Sequence, residues 1–225
     1  MKIGIKEVLY RIRPFFILYL IVLCACLIVK LLYTREQIFF AVNGLNSPWA
    51  DYIEPFMTDL GDGITAVTLS LILLLFSYRK FLLLASSYAV SGLVTQIIKF
   101  SIAAPRPSVY FKDQWGHVHT VKGIEILSAN SFPSGHTTSA FSAAVVLAYL
   151  STKKGWGIPA LLMAILIGYS RMYLTEHFFE DVLAGSVVGV IITIIWLAWL
   201  ESKSFIHSPK WGKGLISTVR GSKSD

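Results

Sequence analysis

Ser170-Arg171-Met172-Tyr173-Leu174-Thr175-Glu176-His177-Phe178-Phe179-Glu180-Asp181 decides how this chain is read. This polar island lies where two apolar runs meet, at about 156–174 and 180–200. A helix needs about 20 apolar residues to cross a bilayer. Charge and imidazole at membrane depth are costly and usually functional. His177 and Asp181 are four residues apart and share one helix face. A carboxylate on one ring nitrogen fixes the tautomer and leaves the other nitrogen free to attack. Arg171 is near enough to hold the same anion, and Ser170 supports the helix end. The bland alternative is an exposed ion pair, with Glu176 and Glu180 as competing partners for His177.

Outward from this island the chain is mostly hydrocarbon. Of 225 residues, 55% are apolar and 15% charged, against about a quarter charged in soluble domains, which places it among membrane proteins. Six runs can be helical spans: about 14–33, 62–78, 81–101, 134–152, 156–174 and 180–200. Residues 1–200 form one six-span domain, and 201–225 a basic, mobile tail that can touch anionic lipid. The net charge of +7 fits basic cytoplasmic segments better than nucleic acid, because no basic patch is interleaved with aromatic residues. Lys2, Lys6, Arg11, Arg13, Arg79, Lys80, Lys153, Lys154, Lys203, Lys210, Lys213, Arg220 and Lys223 fall on one side of such a bundle. Lys30, Arg35, Lys99, Arg106, Lys112, Lys122 and Arg171 fall on the other. The bias puts both termini in the cytoplasm and the island outside. Cys24 and Cys26 lie on different faces of the first span and are expected to be inert core thiols.

Two further segments fall on the same outer side. Lys99 ends the third span, and Arg106-Pro107 follows after Ala103-Ala104-Pro105. The prolines favour extended backbone around Arg106, which lets its guanidinium turn back toward Lys99. Arginine grips phosphate with a planar fork, and lysine adds a point charge. Pro133-Ser134-Gly135-His136 opens the fourth span. Helix starts present unpaired N–H groups to anions, Gly135 permits close approach, Ser134 adds a hydroxyl, and His136 faces the same anion. Singly, these are an interfacial anchor pair and an N-cap. Together, three cations suit a phosphate, and two histidines suit attack and proton donation. The outer connections 34–61 and 108–130 are long. The first has a weakly amphipathic stretch suited to an interfacial helix, and the second the length of a lid or selectivity element.

The order Lys99-x6-Arg106-Pro107, Pro133-Ser134-Gly135-His136, Ser170-Arg171-x5-His177-x3-Asp181 closely resembles the signature of the type 2 phosphatidic acid phosphatase superfamily, the lipid phosphate phosphatases. Every signature position is matched. The resemblance implies an all-α bundle of six transmembrane helices with an extracytoplasmic active site. It implies that His177 attacks phosphorus, Asp181 orients it and His136 protonates the leaving group. Lys99, Arg106, Ser134, Gly135 and Arg171 then hold the phosphate. No metal and no cofactor are expected, since the acidic residues are scattered and cations stand where a metal would neutralise phosphate.

The expected partners are the bilayer and a membrane lipid phosphate, with neither nucleic acid nor an obligate protein partner. The expected location is the bacterial cytoplasmic (inner) membrane. Undecaprenyl diphosphate, phosphatidylglycerol phosphate, phosphatidic acid and the phosphates of lipid A are all candidate substrates. A soluble vanadium haloperoxidase of the same superfamily is disfavoured by the six spans. A binding-only lipid transporter or scaffold needs the cations but not His177 with Asp181.

Overall fold

The structure, a computed structural model, describes residues 4–221. Its regular elements are all helical: α1 (Ile5–Arg11), α2 (Arg13–Leu32), α3 (Arg35–Asn43), α4 (Pro48–Asp59), α5 (Gly63–Phe76), α6 (Tyr78–Ile102), α7 (Pro107–Tyr110), α8 (Gly135–Leu150), α9 (Gly157–Tyr173), α10 (Phe179–Glu201), α11 (Pro209–Gly212) and α12 (Leu215–Gly221), with short 3-10 turns between some of them. Each of the six apolar runs is occupied by one helix: α2, α5, α6, α8, α9 and α10. By length and composition three helical segments can cross a membrane: α2, α6 continued through α7, and α10. The α4–α5 pair, bent by 54°, makes a fourth if counted as one span. The other two runs are short. At 1.5 Å per residue α8 extends about 24 Å, less than a bilayer core.

Helix α8 is short because it faces protein rather than lipid. Ala140, Phe141, Ala143, Ala144, Val145, Val146, Ala148 and Tyr149 are all buried, so it is apolar all round. Helices α6, α9 and α10 surround it. Close packing rests on glycine. A Cβ on Gly185 would stand 2.6 Å from the Ser134 carbonyl oxygen, and one on Gly189 would stand 2.6 Å from that of Thr138. This one-turn pair of small residues lets the α10 backbone lie directly on α8, as small-residue stripes do between membrane helices. The same contact carries the turn before α8 toward the start of α10, where the Ser134 N–H donates to the Asp181 carbonyl.

The 34–61 connection forms α3 and α4. Thr34 and Gln37 cap α3 reciprocally. On α4, Ala50, Glu54 and Thr58 face inward, while Tyr52, Ile53, Phe56 and Leu60 are exposed, so its apolar side points away from the protein. The bend after α4 sits on α8: a Cβ on Gly61 would stand 2.6 Å from Ile167 Cγ2 and 3.1 Å from the His136 carbonyl oxygen.

Two expectations change. Cys24 is exposed and Cys26 only partly buried, because α2 lies at the bundle's edge with most of its surface outward. Residues 206–213 of the tail are packed rather than loose, while its last four residues lie outside the described ones. Ile206 is fully buried, the Tyr78 N–H donates to the Lys213 carbonyl at 2.8 Å, and the Ser77 hydroxyl donates to the Trp211 carbonyl at 3.3 Å. At this end Glu201 is buried against Arg79, far along α10 from His177.

Gly185→Leu should lower the melting temperature of detergent-purified protein sharply, since overpacking of this kind costs about 1–3 kcal/mol or more. Ile191→Ala, on the exposed face of the same helix, should leave it nearly unchanged. A melting temperature in Gly185→Leu equal to that of the parent protein would contradict the close-packed interface.

Candidate active site

The three motif segments meet at one end of the bundle. Lys99 is in the last turn of α6, His136 in the first turn of α8, Arg171 in the last turn of α9, and Asp181 in the first turn of α10. Arg106 and His177 lie in the connections after α6 and α9. Lys99, Arg106, Ser134, Arg171, His177 and Asp181 are all buried, whereas Gly135 and His136 are partly open, which puts the mouth of the site on their side. Lys99 Cε is 3.9 Å from where a Gly135 Cβ would stand, so the ammonium stem lies against the start of α8.

Backbone from residues 127–131, the end of the long outer loop, arranges the cations. Lys99 Nζ donates to the Asn130 carbonyl at 2.6 Å, and Arg106 Nε donates to the Ala129 carbonyl at 3.0 Å. The Arg106 N–H donates to the Ser128 carbonyl, and the Ser131 N–H to the Ala104 carbonyl. Farther back, the Asn43 amide brackets the backbone of His119 at 2.8 and 3.0 Å, and His119 Nε2 meets Asp51 at 2.9 Å. The loop expected to act as a lid is thus pinned to α3 and α4, and its last residues are part of the site.

His177 Nδ1 lies 3.4 Å from Asp181 Oδ2 and 3.4 Å from the Ser131 hydroxyl. The Asp181 carboxylate also accepts from Ser131 Oγ and, at 2.9 Å, from the Phe178 N–H. That set of donors holds the carboxylate at the start of α10, where the helix dipole favours negative charge. His177 sits outside the helices, and its protonated form is strongly disfavoured. Burial is the largest cause, and the positive charges of Arg106, Arg171 and Lys99 add to it. These causes favour the neutral ring, in which one nitrogen carries no proton and can act as a base or nucleophile.

Arg106 Nη1 donates to the Glu176 carbonyl at 2.9 Å and to Glu176 Oε2. Arg171 Nη2 is 3.3 Å from the same Glu176 Oε2, and Arg171 Nη1 donates to Thr58 Oγ1 on α4. Arg171 Nε is buried without a partner among the described residues. Ser134 Oγ accepts from Thr137 Oγ1 at 2.9 Å and leaves its own proton available. Ser170 Oγ donates to the Ile167 carbonyl, as a helix-end support should.

Among the described residues three non-glycine residues adopt left-handed backbone: Ala103 (φ 49°), Asn130 (φ 57°) and Thr175 (φ 59°). Each adjoins a site residue or supplies one of its contacts. Such conformations cost about 1–3 kcal/mol each and persist where the surroundings over-determine them. Ala103 ends α6 between Lys99 and Arg106, Asn130 presents its carbonyl to Lys99, and Thr175 turns Glu176 and His177 inward.

All eight sequence-expected residues are gathered here. Sequence reasoning missed Ser131, Thr58, the Ala129 and Asn130 carbonyls and the place of Glu176. Glu176 and Glu180 do not compete for His177: Glu176 bridges the arginines, and Glu180 pairs with Arg35 and Lys30. A serine two residues before Pro133 carries no motif signal, and backbone carbonyls carry none at all.

Residues 80–205 match the PAP2 superfamily. The chain is 32% identical over 171 residues to an undecaprenyl-diphosphatase of Bacillus subtilis, covering 73% of this chain and 83% of that one. It is 30% identical over 200 residues to phosphatidylglycerophosphatase B of the same organism, covering 82% and 92%. The crystal structure of a transmembrane PAP2-type phosphatidylglycerolphosphate phosphatase from Bacillus subtilis superposes with a TM-score of 0.61 at 27% identity, over 84% of this chain and 94% of that one. A match over more than half the chain, relatives of nearly full length and the same helical fold leave one assignment: the chain belongs to the PAP2 superfamily.

Proposed function

We propose that this lipid phosphatase removes the terminal phosphate of a lipid phosphate or diphosphate at the outer face of the bacterial cytoplasmic membrane. The polyprenyl class represented by undecaprenyl diphosphate is the favoured substrate. The carrying observation is the pairing of buried His177 with Asp181 and Ser131 beside three cations. A binding-only protein needs the cations and not the oriented imidazole. The names of the two Bacillus subtilis relatives support a lipid phosphate or diphosphate. The charge bias of the connections supports six spans with cytoplasmic termini and an outward site.

Lys99, Arg106 and Arg171 hold the phosphoryl oxygens, with the Ser134 hydroxyl and the Gly135 N–H. Hydrogen bonds of this charged kind contribute about 1.5–3 kcal/mol each. His177 Nε2 attacks phosphorus while Nδ1–H donates to Asp181, which stabilises the imidazolium as it forms. The bond from phosphorus to the lipid oxygen breaks, and His136 gives that oxygen its proton. Water then attacks the phosphohistidine, His136 takes the water's proton, the P–N bond breaks and inorganic phosphate leaves. Cations already in place stabilise charge as it spreads over the phosphoryl oxygens. No metal is needed. In this scheme Lys99, Arg106 and Arg171 supply the positive charge that a metal would bring to the phosphate.

Purified protein should release free phosphate from undecaprenyl diphosphate faster than from phosphatidylglycerol phosphate, phosphatidic acid or lipid A, and EDTA should not inhibit. Failure to release phosphate from any of these lipids would overturn the reading, and loss of activity restored by Mg²⁺ would overturn the metal-free scheme. His177→Ala should abolish turnover and the acid-labile phosphoenzyme trapped from radiolabelled substrate; a trapped intermediate in that variant would exclude His177 as nucleophile. Asp181→Asn should lower kcat by at least about 100-fold. Ser131→Ala should lower it by about tenfold, through loss of one hydrogen bond to a charged group. Unchanged kcat in both would remove the carboxylate and its hydroxyl partner from the mechanism.

A further inference from the structure

Glu176 has no place in the signature, yet its carboxylate lies inside the cation cluster. One oxygen, Oε2, accepts from Arg106 Nη1 and from Arg171 Nη2. The Glu176 carbonyl takes a second bond from Arg106 at 2.9 Å. The side chain is almost fully buried, at 4% exposure, so these contacts are not screened by bulk water. Thr175, in left-handed backbone, aims it there, and the Glu176 N–H is fixed on the Arg171 carbonyl at 3.0 Å.

Two guanidiniums that share one phosphate repel each other in its absence. A carboxylate between them removes that repulsion and sets their spacing. It also leaves donors free for a ligand. Arg171 spends Nη1 on Thr58 and Nη2 on Glu176, while its buried Nε points at nothing among the described residues. With Asp181, Glu176 offsets two of the three cations, so the empty cup keeps one net positive charge. Such a cup attracts a phosphate dianion without holding the product too firmly.

We propose that Glu176 is a positioning residue for phosphoryl transfer, which clamps Arg106 and Arg171 into one donor face and sets the charge of the cup so that product phosphate can leave. This rests on the assignment of both arginines to the substrate phosphate.

The test measures kcat, KM and the inhibition constant of inorganic phosphate in Glu176→Gln and Glu176→Asp, purified in detergent and compared with the parent protein. Glu176→Gln keeps the shape and loses the charge. Its phosphate inhibition constant should fall roughly tenfold, the effect of one uncompensated charge a few ångströms away, with kcat falling alongside KM. Glu176→Asp keeps the charge and loses the reach. Its phosphate inhibition constant should stay near that of the parent while kcat falls. A purely structural glutamate predicts lower stability and activity with no tightening of phosphate. An unchanged inhibition constant in Glu176→Gln therefore overturns the proposal, as does equal tightening in both variants. If Glu176→Gln does not fold, the aspartate variant decides: tightened phosphate or unchanged kcat overturns the proposal. A parent protein that inorganic phosphate does not inhibit would instead overturn the arginine assignment itself, and this inference with it.

Discussion

Three cations must be buried side by side at the end of a bundle whose outer surface is largely hydrocarbon. The rest of the site follows from that constraint. Each unpaired charge taken out of water costs several kcal/mol, so every cation has to meet an acceptor before any ligand arrives. Lys99 meets the Asn130 carbonyl, Arg106 meets Ala129 and Glu176, and Arg171 meets Thr58 and Glu176. The acceptors come from three places: the returning outer loop, the α9–α10 connection and α4. A connection that looks dispensable is therefore part of the electrostatics.

Helix packing then decides where the reacting groups stand. Gly185 lets α10 lie against the turn that opens α8, and this brings the Ser134 N–H onto the Asp181 carbonyl. Two helix starts thus converge on one small volume. The start of α10 is occupied by its own carboxylate, 3.4 Å from His177 Nδ1. The start of α8 is left with Gly135 and His136 partly open, as an anion-binding end needs to be. In the proposed mechanism the first would hold the nucleophile and the second would receive the phosphate. Neither arrangement survives a shift of one turn between α8 and α10.

The outer elements serve the same end from farther out. Arg35 of α3 lies 4.5 Å over the ring of Phe178, the residue after His177, and pairs with Glu180. Phe39, Phe111 and Phe178 form one aromatic cluster that joins α3, the outer loop and the start of α10. These contacts keep the His177 connection from opening, which matters because its left-handed Thr175 holds strain.

The sequence alone determined the helical class, the six apolar runs and eight residues that the fold brings together at one end of the bundle. Those features leave local marks: an apolar run is continuous, a helix start has its cap, and His177 and Asp181 are separated by one turn. It also misread two features: it placed Cys24 and Cys26 in the core, because apolar content does not tell a lipid-facing surface from a buried one, and it read as mobile a tail of which residues 206–213 pack on the bundle. Only the tertiary structure decided that α8 is a short central helix wrapped by protein, that Ser131 completes the His177–Asp181 pair, and that Glu176 joins Arg106 to Arg171. The contacts of the site link residues up to 113 positions apart through single oxygen atoms, several of them backbone carbonyls. Any residue type can supply a carbonyl, so its place is set by the path of the folded chain and leaves no trace in the order of side chains.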